Sequence, residues 1–148
     1  MTTGTVSDFV GRSYRPAVPF DVNRTIIRHF ASGIGEHHPA CHDVDAARAL
    51  GYPDLVAPPT FGIVATLPAA EALVRELGLD FSRVVHGEQR FVLRRPIIAG
   101  DSLDVVVTVE RVRAVAGSQI LTTRADIADA DGAPIGTATT TLIVRGEA

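Results

Sequence analysis

A cluster of side chains that can transfer protons lies in one short segment of the chain. Residues 35 to 43 read Gly-Glu-His-His-Pro-Ala-Cys-His-Asp, which places the carboxylate of Glu36 and the imidazole of His42 close together in sequence. Further along, residues 57 to 62 read Ala-Pro-Pro-Thr-Phe-Gly, a run that is typical of the start of a helix. The free N–H groups at a helix start stabilise negative charge. The two segments together predict an acid/base pair beside an anion site.

The order of these segments resembles that of the MaoC-like (R)-specific enoyl-thioester hydratases and 3-hydroxyacyl dehydratases. Two later segments carry the same resemblance: residues 85 to 91 (Val-His-Gly-Glu-Gln-Arg-Phe) and residues 95 to 101 (Arg-Pro-Ile-Ile-Ala-Gly-Asp). The likeness extends from about Val10 to Val144 and is greatest to small actinobacterial dehydratase subunits with an altered catalytic motif. It implies an α+β fold in which residues 1–148 form a single hot-dog domain, an antiparallel sheet wrapped around a central helix.

The family motif Gly-Asp-x-Asn-Pro-x-His is matched only in part. Glu36 replaces the Asp, His38 replaces the Asn, and Cys41 stands in the His position, with His42 one residue later. The resemblance implies catalytic roles for Glu36 and His42, with His42 as base and acid and Glu36 orienting the water or hydroxyl. A shift of about 1 Å in a reactive group can cost about a hundredfold in rate. The altered spacing therefore leaves a second interpretation open, in which Glu36 is a loop carboxylate and His42 bonds to a neighbouring Asp.

The resemblance also implies binding groups for the thioester and its carrier. The backbone N–H groups of Thr60, Phe61 and Gly62 would hold the thioester oxygen; alternatively, Gly62 only allows the helix to pack closely against the sheet. Arg94 and Arg95 would bind the phosphates of coenzyme A or of the prosthetic arm of a carrier protein, the alternative being a solvated polar face.

Other uses of the cluster are less favoured. A metal site of His37, His38, His42 and Asp43 is conceivable from ligand type, but adjacent histidines rarely orient both rings toward one ion. The resembling family uses no metal, and we expect neither a metal nor a cofactor. Cys41 is expected to be a small buried thiol rather than a nucleophile, because side chains of adjacent residues rarely face each other.

Composition narrows the class of protein further. The chain has 148 residues and a net charge of -3. It lacks the excess of positive charge that is typical of nucleic-acid-binding proteins. All 14 basic residues are Arg, which excludes a side-chain Schiff base and a Walker-type phosphate loop. A single Cys excludes an internal disulfide. Neither a secretory signal nor a bilayer-length apolar run is apparent, so we expect a cytoplasmic protein without a membrane partner.

Periodicity predicts three helices ahead of a meander of strands. The helices and their predicted caps are residues 22 to 32 after Asp21, residues 44 to 50 after Asp43 or Asp45, and residues 61 to 66 after Thr60. Pro68 is expected to separate the third helix from residues 69 to 77. The predicted strands begin at residue 84 and continue over residues 104 to 115, 119 to 129 and 135 to 144. Strict alternation in the first strand would place His86, Glu88 and Arg90 on one face.

The leading functional hypothesis is a hydro-lyase that interconverts (3R)-hydroxyacyl and trans-2-enoyl thioesters of coenzyme A or a carrier protein. A second hypothesis is a non-catalytic acyl-binding subunit that serves a catalytic hot-dog partner. A thioesterase is a third. The first two predict a homodimer or a heterodimer, because hot-dog proteins typically pair their edge strands.

Overall fold

The computed structural model describes residues 6–146. Its helices and strands follow the order β1 (Ser13–Tyr14), β2 (Phe20–Asp21), α1 (Arg24–Gly33), α2 (Val44–Ala49), α3 (Gly62–Glu76), β3 (Val84–Leu93), β4 (Ser102–Val115), β5 (Ser118–Ala128) and β6 (Pro134–Val144). Within this part of the chain, no helix is both long enough and apolar enough to cross a membrane.

The strands form one antiparallel sheet in the order β1-β4-β5-β6-β3, and β2 pairs separately with β4. Ala116 and Gly117 connect β4 to β5 with positive φ angles of 47° and 78°, as a two-residue hairpin turn requires. The alternation of β5 is as predicted, since Leu121, Ala125 and Ile127 are buried on one side. Strand β3 lies at the edge of the sheet. The predicted α+β fold with an antiparallel sheet is confirmed.

Helix α3 fills the concave side of the sheet. Ala65, Ala69 and Leu73 are spaced four residues apart, so they lie on one face of the helix, and each is 1% exposed. Ala65 and Ala69 belong to the same buried cluster as Val105 and Ala125 of the sheet. The small side chains on this face let the helix axis approach the strands closely, which makes α3 the central helix of the fold.

The predicted break at Pro68 is wrong, because α3 continues through it. Pro68 is exposed, whereas the next residue, Ala69, is buried. The missing N–H of Pro68 deprives the carbonyl of Val64 of one bond, and proline inside a helix costs about 3 kcal/mol. Burial of a leucine such as Leu73 contributes ~1.5–3 kcal/mol. Packing of the whole buried face therefore outweighs the local cost.

Two of the three predicted helix caps need correction. Asn23, not Asp21, caps α1: its side-chain oxygen accepts the N–H of the residue three positions later at 2.8 Å. Asp43 caps α2, as one of the two predicted alternatives, by accepting two backbone N–H groups at 2.8 and 3.1 Å. Thr60 does not cap α3, which begins after Phe61 without a side-chain hydrogen bond. Helix α3 therefore depends on tertiary packing rather than on a local cap.

Strand β3 departs from strict alternation at Gly87. The residues on either side of it, His86 and Glu88, pair with consecutive residues of β6, so that Gly87 is an extra residue in a β-bulge. As a result His86 lies on the helix-facing side together with Gln89. The prediction that His86, Glu88 and Arg90 share a face is therefore wrong.

Gly136 of β6 offers a test of how tightly this edge of the sheet is packed. A Cβ atom at this position would lie 2.5 Å from the carbonyl oxygen of Val92 and 3.1 Å from the Cα atom of Leu93, and neither backbone atom can rotate away. We expect Gly136→Ala to lower the free energy of unfolding by roughly 1–3 kcal/mol, measured by urea denaturation. Gly33→Ala is the matched control, because nothing lies within 4 Å of a Cβ there. Equal stability of the two variants would contradict the packing.

Candidate functional site

Two cavities border α3, one before its start and one along its length. The first, which we call the turn cavity, has a volume of about 590 Å³ and includes among its lining residues Glu36, His38, Cys41, Pro59 and Arg94. The second, the helix cavity, has a volume of about 260 Å³ and lies between α3 and the sheet. The predicted acid/base segment therefore borders a hollow large enough for part of a ligand.

Glu36 is held where α1 ends. Its N–H donates to the carbonyl of Ala31 in the last turn of α1 at 2.8 Å. Its carboxylate is half-buried at the wall of the turn cavity, and Oε1 accepts the backbone N–H of His38 at 2.8 Å. The position of the carboxylate is thus defined by the helix on one side and by the following turn on the other.

The ring of His42 does not face the carboxylate of Glu36. Its Nε2 lies 2.7 Å from the main-chain carbonyl oxygen of Glu36. Because a carbonyl can only accept, Nε2 carries the proton and donates it. The ring is not among the groups that line the turn cavity. The structure therefore brings His42 to the backbone of Glu36 but not to its acidic group, and the catalytic roles of these two residues remain predictions.

Cys41 occupies the place beside Glu36 that the motif gives to histidine. The residue is 5% exposed, so the expectation of a small buried thiol is confirmed. Burial raises the pKa of the Cys41 thiol, and the negative charge of Glu36 raises it further. The thiol therefore stays protonated near neutral pH, and it is a weak nucleophile and a poor base.

The three predicted thioester donors at the start of α3 are not equivalent. The N–H of Phe61 donates to the carbonyl of Pro58 at 2.9 Å, so it is not available as predicted. The N–H groups of Thr60 and Gly62 donate no hydrogen bond within residues 6–146. A Cβ on Gly62 would lie 3.3 Å from the side chain of Ile127, so the close packing that was the alternative explanation for this glycine is also present.

The two predicted phosphate-binding arginines also differ. Arg95 holds Asp101 through two hydrogen bonds of 2.8 and 3.0 Å and donates a third to the carbonyl of Pro96 at 2.9 Å. The hydrogen bonds that Arg95 donates to the carboxylate of Asp101 raise the pKa of Arg95. Arg94 is exposed at the wall of the turn cavity, and its guanidinium has no partner within the described residues. Arg94 alone of the two is free to bind a phosphate.

The helix cavity has mainly apolar walls. Its apolar lining comes from α3, from the segment before β3 and from the sheet: Ile63, Leu67, Ala70, Leu73, Val74, Phe81, Val84, Val107, Ala125 and Leu142. Leu67 and Phe81 are exposed, 46% and 65%, so the cavity opens to the surface between α3 and β3. An apolar hollow of this shape can bind a hydrocarbon chain.

Sequence reasoning missed the polar groups that line the helix cavity, which are Thr66, Glu71, His86, Thr123 and Thr140. His86 is among the lining residues because of the bulge at Gly87. Its Nε2 lies 3.1 Å from Oε1 of Gln89, and that oxygen also accepts the hydroxyl of Thr140 at 2.7 Å. A glycine in the middle of a strand pattern was the available signal, since such glycines often mark bulges.

A shared metal site is not formed by the predicted histidines. In the part of the chain that the structure describes, no three His, Cys, Asp or Glu side chains lie close enough together to hold one metal ion. His38 instead accepts the N–H of Ala40 through Nδ1 at 3.2 Å, and Asp43 caps α2.

Comparison with known proteins gives a consistent relationship. Residues 8–138 match the family model described as FAS1-like, dehydratase domain region. A UPF0336 protein of Saccharopolyspora erythraea is 48% identical over 142 residues, which cover 95% of this chain and 91% of that protein. The similarity therefore extends over nearly the whole chain.

Solved structures agree with this relationship. A chain of the C-terminally truncated HadBC (3R-hydroxyacyl-ACP dehydratase) complex from Mycobacterium tuberculosis is 33% identical with a TM-score of 0.85, over 92% of this chain and 97% of that one. A MaoC-like dehydratase is 30% identical with a TM-score of 0.87, over 93% of this chain and 42% of that one. The predicted hot-dog fold and the resemblance to MaoC-like dehydratases are confirmed.

An ion pair holds the segment before the turn cavity in place. Arg24 at the start of α1 binds both carboxylate oxygens of Asp54, at 2.9 and 2.7 Å. The hydrogen bonds from Arg24 lower the pKa of Asp54 from 3.8 to about 2. Because the pKa is depressed in the folded state, the pair stabilises the fold above pH 4, and this contribution is lost as the pH falls toward 2.

We therefore expect Asp54→Asn to lower the midpoint of thermal unfolding at pH 7. At pH 2 the midpoints of the variant and of the unsubstituted protein should become equal. Thermal unfolding followed by circular dichroism between pH 2 and pH 7 measures this. Asp131→Asn is the matched control, because Asp131 is exposed and its carboxylate has no ion-pair partner in the described residues. A difference in midpoint between the Asp54 variant and the unsubstituted protein that stays constant over this pH range would refute the assignment.

Proposed function

The chain belongs to the FAS1-like dehydratase domain family, and from this premise we propose that it is the acyl-binding subunit of a dehydratase acting on (3R)-hydroxyacyl and trans-2-enoyl thioesters. In this proposal a partner hot-dog subunit supplies the proton-transferring pair. This chain supplies the binding site for the acyl group and for its carrier, coenzyme A or a carrier protein. The similar chain from M. tuberculosis is itself part of a complex.

The replacement of an imidazole by a thiol at the cavity wall carries the proposal. Dehydration needs a base for the α-proton and an acid for the departing hydroxyl, and a positioned acid or base contributes about 10²- to 10⁴-fold in rate. Beside the carboxylate of Glu36 the cavity offers the neutral thiol of Cys41 where the motif has histidine. The ring of His38 accepts the N–H of Ala40, and the ring of His42 donates to a backbone carbonyl. The geometry therefore supports binding by this subunit and proton transfer by another.

The helix cavity is the proposed site of the acyl chain. A methylene group takes up about as much space as a water molecule, roughly 30 Å³, so a cavity of about 260 Å³ holds a chain on the order of eight carbons long. Each buried methylene contributes about 0.8 kcal/mol. Ile63 of this cavity and Pro59 of the turn cavity flank the start of α3, so a thioester there would direct its carrier toward Arg94.

Activity measurements separate this proposal from a self-sufficient hydratase with Glu36 and His42 as its catalytic pair. We expect no hydration of crotonyl-CoA, followed at the enoyl absorbance, by the purified chain. Turnover is expected when a hot-dog subunit with an intact Gly-Asp-x-Asn-Pro-x-His motif is co-expressed. In that mixture His42→Gln should retain activity within about twofold, because the amide can still donate to the carbonyl of Glu36. Turnover by the chain alone that His42→Gln abolishes would establish the self-sufficient enzyme instead.

Filling the helix cavity tests where the acyl chain binds. Ala70 lines this cavity, whereas Ala72 is exposed on the same helix. We expect Ala70→Trp to weaken the binding of octanoyl-pantetheine, measured by calorimetry, by more than about tenfold, since the indole occupies the space of several methylenes. Ala72→Trp should bind the ligand as the unsubstituted protein does. If both variants bind the ligand unchanged, the acyl chain does not occupy this cavity.

A further inference from the structure

We propose that Thr123 gives the helix cavity a specificity for oxygenated acyl chains, by donating a hydrogen bond to an oxygen atom in the middle of the bound chain. The preferred ligand is a thioester whose chain has a keto or hydroxyl oxygen several carbons beyond the reacting end. The inference rests on the proposed function, because it requires an acyl chain in this cavity with its thioester at the start of α3.

A row of polar side chains crosses the helix-facing side of the sheet. Thr123 of β5 pairs with Thr140 of β6, and Thr140 pairs in turn with Gln89 of β3. The row before it, toward the start of α3, is apolar and consists of Val107, Ala125, Ala138 and Phe91. The row after it includes the apolar residues Val112, Leu121 and Leu142. A bound acyl chain therefore meets one polar row between two that are mainly apolar.

The hydroxyl of Thr123 is buried but has no hydrogen-bond partner within residues 6–146. The residue lines the helix cavity and is 6% exposed. Its Oγ1 is not among the unpartnered side-chain atoms of the described residues that are closed to solvent, which belong to Tyr14, Gln89 and Gln119, so it is open to the cavity. A buried donor without a partner is costly, and a ligand oxygen that accepts its proton removes this cost.

The other polar residues of the cavity wall do not replace Thr123. The other two threonines use their protons elsewhere, since Thr66 donates to a carbonyl of its own helix at 3.1 Å and Thr140 donates to an amide oxygen at 2.7 Å. Glu71 and His86 are exposed, so ligand atoms beside them remain in contact with water. An ionised carboxylate also has no proton to donate. Thr123 is therefore the buried group of the wall whose proton is available to a ligand.

The spacing of the rows indicates which part of the chain lies beside Thr123. A Cβ on Gly62 would lie 3.3 Å from Ile127 and 3.3 Å from Phe91, so the start of α3 lies over these two residues. Thr123 is four residues from Ile127 along β5, and its row is two residues from that of Phe91. These separations correspond to about 7–13 Å. A staggered carbon chain advances about 1.3 Å per bond, so the oxygen lies at about the sixth carbon or beyond. The third carbon, where dehydration occurs, stays at the helix start.

Binding of two ligands of equal chain length to the purified chain tests the inference. Calorimetry would compare 7-oxooctanoyl-pantetheine with octanoyl-pantetheine. We expect Thr123→Val, which keeps the shape of the side chain, to weaken binding of the keto ligand relative to the saturated ligand by about three- to tenfold, because one hydrogen bond is lost. Thr122→Val, on the opposite face of the same strand, is the matched control and should leave the ratio of the two affinities unchanged.

Two further measurements locate the contact. 4-Oxooctanoyl-pantetheine places its oxygen at the apolar row before Thr123, so Thr123→Val should not weaken its binding relative to the saturated ligand. An equal loss for both keto ligands would overturn the assignment to the middle of the chain. Infrared spectra provide a second readout: the stretching band of the 7-keto group should move to lower frequency on binding to the unsubstituted protein and should not move on binding to Thr123→Val.

The outcomes separate this inference from the proposed function. If octanoyl-pantetheine binds but Thr123→Val leaves the ratio of affinities unchanged, the role of Thr123 is overturned and acyl binding stands. If neither ligand binds, the proposed function is overturned and the inference with it. Urea denaturation checks that the variant is folded: Thr123→Val should be at least as stable as the unsubstituted protein, because the hydroxyl has no hydrogen bond to lose.

Discussion

The packing of α3 against the concave side of the sheet is the constraint on which the rest of the molecule depends. Small residues on the buried face of the helix, Ala65 and Ala69, allow the close approach, and Gly62 extends it to the first turn. The same contact places the start of the helix beside the Glu36 segment and leaves the helix cavity open further along. Both cavities therefore result from the packing of α3 against the sheet. Burial in the same contact offsets the cost of Pro68 in the interior of the helix.

The parts of the fold that could be predicted are those whose residues are buried on one side only. Strand β5 shows this, because the alternation of Leu121, Thr123, Ala125 and Ile127 follows directly from a strand with one buried face. Helix α3 could not be predicted in full, since local rules assign a break to Pro68 and the compensating burial comes from strands that follow much later in the chain. The bulge at Gly87 was missed for a related reason, because the pairing with β6 defines it.

The candidate site was predicted in location but not in the orientation of its groups. Pro39–Cys41 form a 3₁₀ turn, in which successive side chains point about a third of a turn apart. A shift of one residue therefore moves a side chain from the cavity wall to the other side of the backbone. This is the physical reason why Cys41, and not His42, borders the turn cavity. The sequence identified the segment that borders the cavity. Only the geometry of the turn shows which of the two adjacent side chains lies at the cavity wall.

Strand β3 lies at the end of the sheet, with the exposed side chains of Val85 and Val92 on an edge that no strand of the described residues covers. Such an edge exposes backbone donors and acceptors to any extended chain that it meets. Until that edge is covered, its free backbone donors and acceptors make it a template for misassembly.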